Sequence, residues 1–219
     1  MCGRFSLTVS DIAALARAWG AEVDALLLQG WRPRYNVAPG HLAPLLRGPA
    51  GQRRLVLAAF GLAGPGGKLL INARSETAAA RPTFRAAMAG SRAVVPADGF
   101  FEWEGPPSAR RPTWFHRPDG APLLLAAVAV PGPDGRPAFA ILTTGAVAPV
   151  ARLHDRMPVI LPEAALDGWL ADGPPPPLPA PEAVPLAGRP VSPRVNSPAH
   201  DDPGCLESPP APAQGTLIP

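Results

Sequence analysis

Short apolar runs bounded by turn residues recur along the chain at positions 55–60, 93–96, 114–116, 123–130, 139–144 and 157–161. Runs of this length between glycine, proline and polar clusters predict strands. Helical spacing is rarer. Ile12, Leu15, Ala16 and Trp19 recur at three- and four-residue intervals behind Ser10, a cap residue, and before Gly20, which predicts a helix ending there. A second short helix is expected over 23–28. A third starts at Pro82 and stops at Gly90, and a last one covers 162–170. So few helices cannot carry crossovers between many parallel strands, so the pattern predicts an α+β fold built on a mostly antiparallel sheet.

Proline, at 33 residues, crowds positions 174–181 and the end of the chain. Such stretches lack backbone donors and apolar faces, so 173–181 is expected as a surface loop and 207–219 as a disordered tail, leaving one domain over 1–206. The length of 219 residues, 47% of them hydrophobic, suits that single core. The longest apolar run, 123–130, is far short of the roughly 20 residues that span a bilayer. No secretory leader pattern opens the chain, and two cysteines, Cys2 and Cys205, cannot form a disulfide framework. A cytoplasmic protein is expected.

Net charge is only +3, and the basic residues are almost all arginine, Lys68 being the sole lysine. Arginine's planar fork suits phosphate. The charge thus permits nucleic-acid binding without requiring it. His41, His116, His154 and His200 are scattered without metal-ligand spacing, so no metal or other cofactor is expected.

The most informative feature for chemistry is the start, Met1-Cys2-Gly3-Arg4-Phe5. Loss of one methionine leaves an N-terminal cysteine, whose amine and thiol can together condense with an aldehyde to an imine and then a thiazolidine ring. The unperturbed pKa values, about 7.7 to 8.0 for the amine and about 8.5 for the thiol, leave part of each nucleophile unprotonated near neutrality. Imine formation also needs a proton carrier. Glu102, among Phe100, Phe101 and Trp103, could be a carboxyl with a raised pKa or a side chain pointing to water from an alternating strand. His154 could be a proton carrier or a hydrogen-bonded structural group. Asn72 could orient an amine or shape a turn.

Four further segments extend the pattern: Tyr35-Asn36-Val37-Ala38-Pro39-Gly40, Asn72-Ala73-Arg74-Ser75-Glu76-Thr77, Val95-Pro96-Ala97-Asp98-Gly99-Phe100-Phe101-Glu102-Trp103 and Leu153-His154-Asp155-Arg156-Met157-Pro158. In this order behind Met-Cys-Gly-Arg-Phe, they closely resemble the SRAP family, the SOS-response-associated peptidase or abasic-site-processing proteins. Val191-Ser192-Pro193-Arg194-Val195-Asn196 and Asp201-Asp202-Pro203-Gly204-Cys205 are similar to the family's C-terminal end.

The resemblance implies a curved, barrel-like sheet with short helices outside. It implies Cys2, Asn72, Glu102 and His154 as the reacting group, and Arg4, Asn36, Phe60, Arg74, Arg85 and Arg156 as DNA-binding candidates. The implied activity is binding of single-stranded DNA with an abasic site by a monomer, and a thiazolidine crosslink through Cys2 once Met1 is removed. A cysteine peptidase acting on proteins through Cys2, Glu102 and His154 is the first rival. A non-catalytic reader of damaged or modified DNA is the second. One departure stands out: the family's Trp-Gly-Leu-x-Pro-x-Trp segment is represented by Phe60-Gly61-Leu62-Ala63-Gly64-Pro65-Gly66-Gly67, with neither tryptophan.

Overall fold

The computed structural model describes residues 2–132 and 134–210. Its strands are β1 (Phe5–Leu7), β2 (Ala21–Val23), β3 (Arg34–Val37), β4 (Leu42–Arg47), β5 (Arg53–Phe60), β6 (Leu62–Ala63), β7 (Leu69–Leu70) and β8 (Asn72–Arg74). They continue with β9 (Arg92–Ala97), β10 (Gly99–Glu104), β11 (Arg111–His116), β12 (Leu123–Pro131), β13 (Pro137–Gly145), β14 (Arg156–Pro158), β15 (Ile160–Leu161) and β16 (Ala187–Pro190). The helices are short: α1 (Ile12–Ala18), α2 (Ala25–Gly30), α3 (Ser75–Ala78), α4 (Pro82–Gly90) and α5 (Leu166–Leu170).

This is the mixed α+β domain that the patterning predicts, mostly sheet with few helices. One sheet is antiparallel throughout, in the order β3-β1-β10-β11-β16. In the other, β13 pairs with β12, β12 with β9, β9 with β4, β4 with β5, and β5 returns to β13, so the pairings run in a closed circuit. Among the described residues, three contacts are parallel: β2 with β5, β5 with β13 and β8 with β13. The connections between these partners run through other strands as well as helices, α2 in the first and α3 and α4 in the other two.

The unbroken apolar run at 123–130 reflects burial on both faces of β12. Leu123, Leu125, Ala127 and Ala129 turn inward among Phe5, Phe60, Phe100, Phe115 and Phe139. Leu124, Ala126 and Val128 turn outward onto Ile12, Trp19, Met88 and Trp169, beneath the helices. A third cluster forms where the segment 191–206 covers the outer face of the antiparallel sheet, packing Val191, Val195 and Cys205 on Phe101 with Trp103 and Trp114 beside them. That face requires Gly99. A Cβ there would lie 2.4 Å from both Phe115 O and Trp114 Nε1, so any side chain would push β11 away from β10.

Local boundaries correct several expectations. The cap of α1 is Asp11, not Ser10; its carboxylate accepts from Ala14 N at 2.8 Å. The second helix begins at Ala25 rather than 23, because Asp24 caps it through Leu26 N and Val23 still belongs to β2. The expected helix over 162–170 is a 3₁₀ turn at Glu163–Ala165 followed by α5. The run 157–161 divides into β14 and β15 around Val159. Residues 171–186, including the proline cluster, hold neither helix nor strand. Of the expected tail, Glu207 is tied back by its carbonyl, which accepts from Ser192 N at 2.8 Å, and 211–219 lie outside the described residues. Among the described residues, no helix is long and apolar enough to cross a membrane.

Candidate functional site

Cys2 stands just before β1, fully buried against the inner cluster, with its Sγ 3.9 Å from Arg4 O. Burial pushes its thiol pKa well above the ordinary value, and the charge of Glu102 pushes it the same way. Asn72, the first residue of β8, donates from Nδ2 to Cys2 O at 3.1 Å. Its Oδ1 is shielded from solvent and has no hydrogen-bond partner among the described residues.

Glu102 owes its position to the two-residue period of β10. Phe100 and Glu102 face inward, Phe101 and Trp103 face the 191–206 segment, and register is set by Phe100 opposite Phe5 and Glu102 opposite Thr113. Only 4% of Glu102 is exposed, so it does not point to water. Burial raises its carboxyl pKa. Burial thus favours the protonated carboxyl, which can give a proton as well as take one back.

His154 follows a 3₁₀ turn at Val150–Arg152, its amide bonded to Val150 O at 3.1 Å. Its Nδ1 accepts from Arg156 N at 2.9 Å and lies 2.9 Å from Asp155 Oδ1.

Two clefts meet at His154. One, of about 480 Å³, is lined by Glu102 and His154 with Gly3, Arg4, Trp103, Arg110 and Asn196. The other, of about 340 Å³, is lined by Asn72, Arg74, Thr143, His154, Asp155 and Arg156. A comparable cavity at Arg47, Arg92 and Asp172 lies elsewhere, and Arg92 there is spent on the carbonyls of Met88, Trp169, Ala171 and Gly173. The four residues expected to react are thus gathered around one place from distant parts of the chain. Among the described residues, no group of three His, Cys, Asp or Glu side chains could hold a metal.

The expected DNA contacts divide. Arg74 is exposed at the second cleft. Arg85 is exposed on α4 and lines neither cleft. Arg4 is half-buried in the wall of the first, donating to Asn36 Oδ1 at 2.6 Å and Val195 O at 2.8 Å, with its guanidinium 5.7 Å from the Trp103 ring centre. Arg156 commits its fork to Glu76 and Thr143.

Asn36 and Phe60 offer DNA no surface. Asn36 is fully buried, its Nδ2 donating to the carbonyls of Val195, Ser197 and His200, so it holds the 191–206 segment in place. Phe60 is fully buried, stacked on Phe139 at 5.2 Å and edge-on to Phe5 at 5.5 Å. No base reaches that ring.

Sequence reading missed Trp103, Arg110 and Asn196 as cleft walls. Asn196 accepts from Trp103 Nε1 at 2.7 Å and donates to Arg110 O at 3.1 Å, tying the three together. Trp103 and Asn196 stand inside recognised motifs; Arg110 carries no signal in the sequence.

The family described as SOS response associated peptidase (SRAP) matches residues 1–198. The abasic site processing protein YedK of Escherichia coli is 37% identical over 181 residues, covering 78% of this chain and 79% of that protein. YoqW of Bacillus subtilis, also described as an abasic site processing protein, is 30% identical over 226 residues, covering 95% of this chain and all of its own. A solved protein from Bordetella bronchiseptica superposes with a TM-score of 0.68 at 27% identity, over 87% of this chain and 100% of that one. Another from Bacteroides thetaiotaomicron, at 18% identity and a TM-score of 0.73, covers 94% of this chain and 99% of its own and shares the fold.

Proposed function

The chain belongs to the SOS response-associated peptidase family, and from that premise we propose that it processes abasic sites in DNA. The finer reading is that Cys2, freed of Met1, captures the open-chain sugar of an abasic site in single-stranded DNA as a thiazolidine. The observation carrying it is the convergence of Asn72, Glu102 and His154 on the N-terminal cysteine.

The raised thiol pKa makes the amine the first nucleophile. Its nitrogen bonds to the aldehyde carbon, and Glu102 takes the ammonium proton. Glu102 returns that proton to the alkoxide, then carries the second nitrogen proton to the carbinolamine hydroxyl, and water leaves to give the imine. The thiol sulfur closes the ring onto the imine carbon, and its proton passes to nitrogen. Asn72 holds the Cys2 main chain throughout, and His154 protonates the opened sugar's oxygen. Arg74 and Arg110 supply phosphate contacts, which place a strand without reading its sequence.

Intact mass after mixing with abasic single-stranded DNA tests this reading. The expected species is the sum of DNA and protein lacking Met1, less one water, stable to denaturation without a reductant. Cys2→Ser with a free N-terminus should give only an imine, trapped by borohydride. Absence of any adduct together with Cys2-dependent cleavage of a peptide would replace this reading with the peptidase.

A further inference from the structure

Arg156 joins two motifs that lie 80 positions apart. Its Nη1 and Nη2 donate to Glu76 Oε1 and Oε2 at 2.6 and 2.9 Å, and Nη2 also donates to Thr143 O at 2.6 Å. Glu76 stands in the first turn of α3, directly behind β8, the strand that begins with Asn72. Arg156 begins β14, and its amide donates to His154 Nδ1. Both strands pair with β13, where Thr143 faces Arg74 on one side and Pro158 on the other. The guanidinium therefore spans β13 and fastens its two neighbours together.

A bidentate fork fixes orientation as well as distance. Glu76's carboxyl is held down to about 2 by Arg156, so the pair stays charged at any working pH. With Glu76 half exposed, such a pair adds little to global stability. Its leverage is geometric, because Asn72, on β8, and His154, two residues before β14, line the same cleft.

We propose that Glu76 is a positioning residue, which through Arg156 sets the placement of His154 relative to Asn72 around Cys2. The inference rests on the reading of Cys2 chemistry given above. Glu76 touches no reacting atom, and the fork it occupies is withheld from phosphate.

Glu76→Gln, Arg156→Gln and the double variant in the full chain provide the test, with thermal unfolding as the folding control. Expected is a fall of about tenfold to a hundredfold in the crosslinking rate at saturating abasic DNA, as for other small misplacements of reacting groups. The half-saturating DNA concentration should stay within about twofold for Glu76→Gln. The double variant should be no slower than the worse single one, because both changes break one link. Imidazole NMR signals of His154 should move in Glu76→Gln while those of His41, His116 and His200 stay in place.

Unmoved His154 signals would overturn the inference. So would tighter DNA binding at an unchanged maximal rate, which would make Glu76 an occupant of a phosphate-binding fork. His154 signals that move in a protein whose wild type forms no crosslink would uphold the positioning role and overturn the crosslinking reading instead.

Discussion

Asn72 Nδ2 donates to the carbonyl oxygen of Cys2 across 3.1 Å, tying the start of β8 to the residue that precedes β1. One half of the carboxamide is spent on the main chain of Cys2, while the other half, Oδ1, is buried without a hydrogen-bond partner among the described residues. Replacement should therefore follow an order. Asn72→Ala forfeits one hydrogen bond, about 0.5 to 1.5 kcal/mol, whereas Asn72→Asp also sets an acceptor against the carbonyl and costs about 1 to 3 kcal/mol. Thermal unfolding should rank wild type above Ala and Ala above Asp; Asp at or above Ala would contradict the donor assignment.

Glu102→Gln is expected to slow crosslinking by about 10² to 10⁴, the usual worth of general acid-base catalysis. Stability should move the other way. A carboxyl whose folded pKa is raised above its unfolded value of about 4.3 destabilises the fold progressively as pH rises past that value, until pH exceeds the folded pKa. The glutamine variant carries no such penalty. Its melting temperature should exceed that of wild type at pH 7, and the gap should close as pH falls to about 4.

Salt should weaken noncovalent binding to single-stranded DNA, with a log-log slope of roughly 0.7 per phosphate contact. Arg74→Ala and Arg110→Ala, which each remove an exposed guanidinium from a cleft, should each lower that slope by about one contact. Arg85→Ala, on α4 outside both clefts, should lower it less. Anisotropy titrations across a salt series decide the ranking, and equal losses for all three would extend the strand path onto α4.

Phe60→Ala should act on the core alone. Truncating a fully buried phenylalanine typically costs about 3 to 5 kcal/mol. Urea unfolding should show that loss, while the fraction that remains folded binds DNA with unchanged affinity. Weakened binding by fully folded protein would restore a role for this ring at the surface.

The strands at 93–96, 114–116, 123–130 and 139–144 were legible because their apolar runs end at turn residues, and Cys2 because an N-terminal cysteine has chemistry no internal one shares. Other features were hidden for physical reasons. Ser10 and Asp11 are both good caps, and only the hydrogen bond to Ala14 decides between them. Asn36 and Phe60 stand in or beside motifs associated with DNA, and a motif does not say whether a side chain turns outward. Asn36 turns toward carbonyls of 195–200, more than 150 positions later. Phe60 turns toward Phe139. Arg156 looks like a phosphate ligand until Glu76 is found in its fork.

The alternation along β10 makes the chemistry a matter of parity. Phe100 and Glu102 there look toward Cys2, and Phe101 and Trp103 toward the covering C-terminal segment. A single residue inserted between Gly99 and Glu102 would leave composition, charge and motif almost untouched. It would nevertheless exchange the two audiences of the strand, swinging the acid onto an apolar surface and an aromatic ring beneath the nucleophile. Two inserted residues would restore the order of faces while carrying the acid along the strand by about two residue rises, roughly 6.8 Å. In this strand, deletions and insertions matter by whether their length is odd or even before they matter by what they contain.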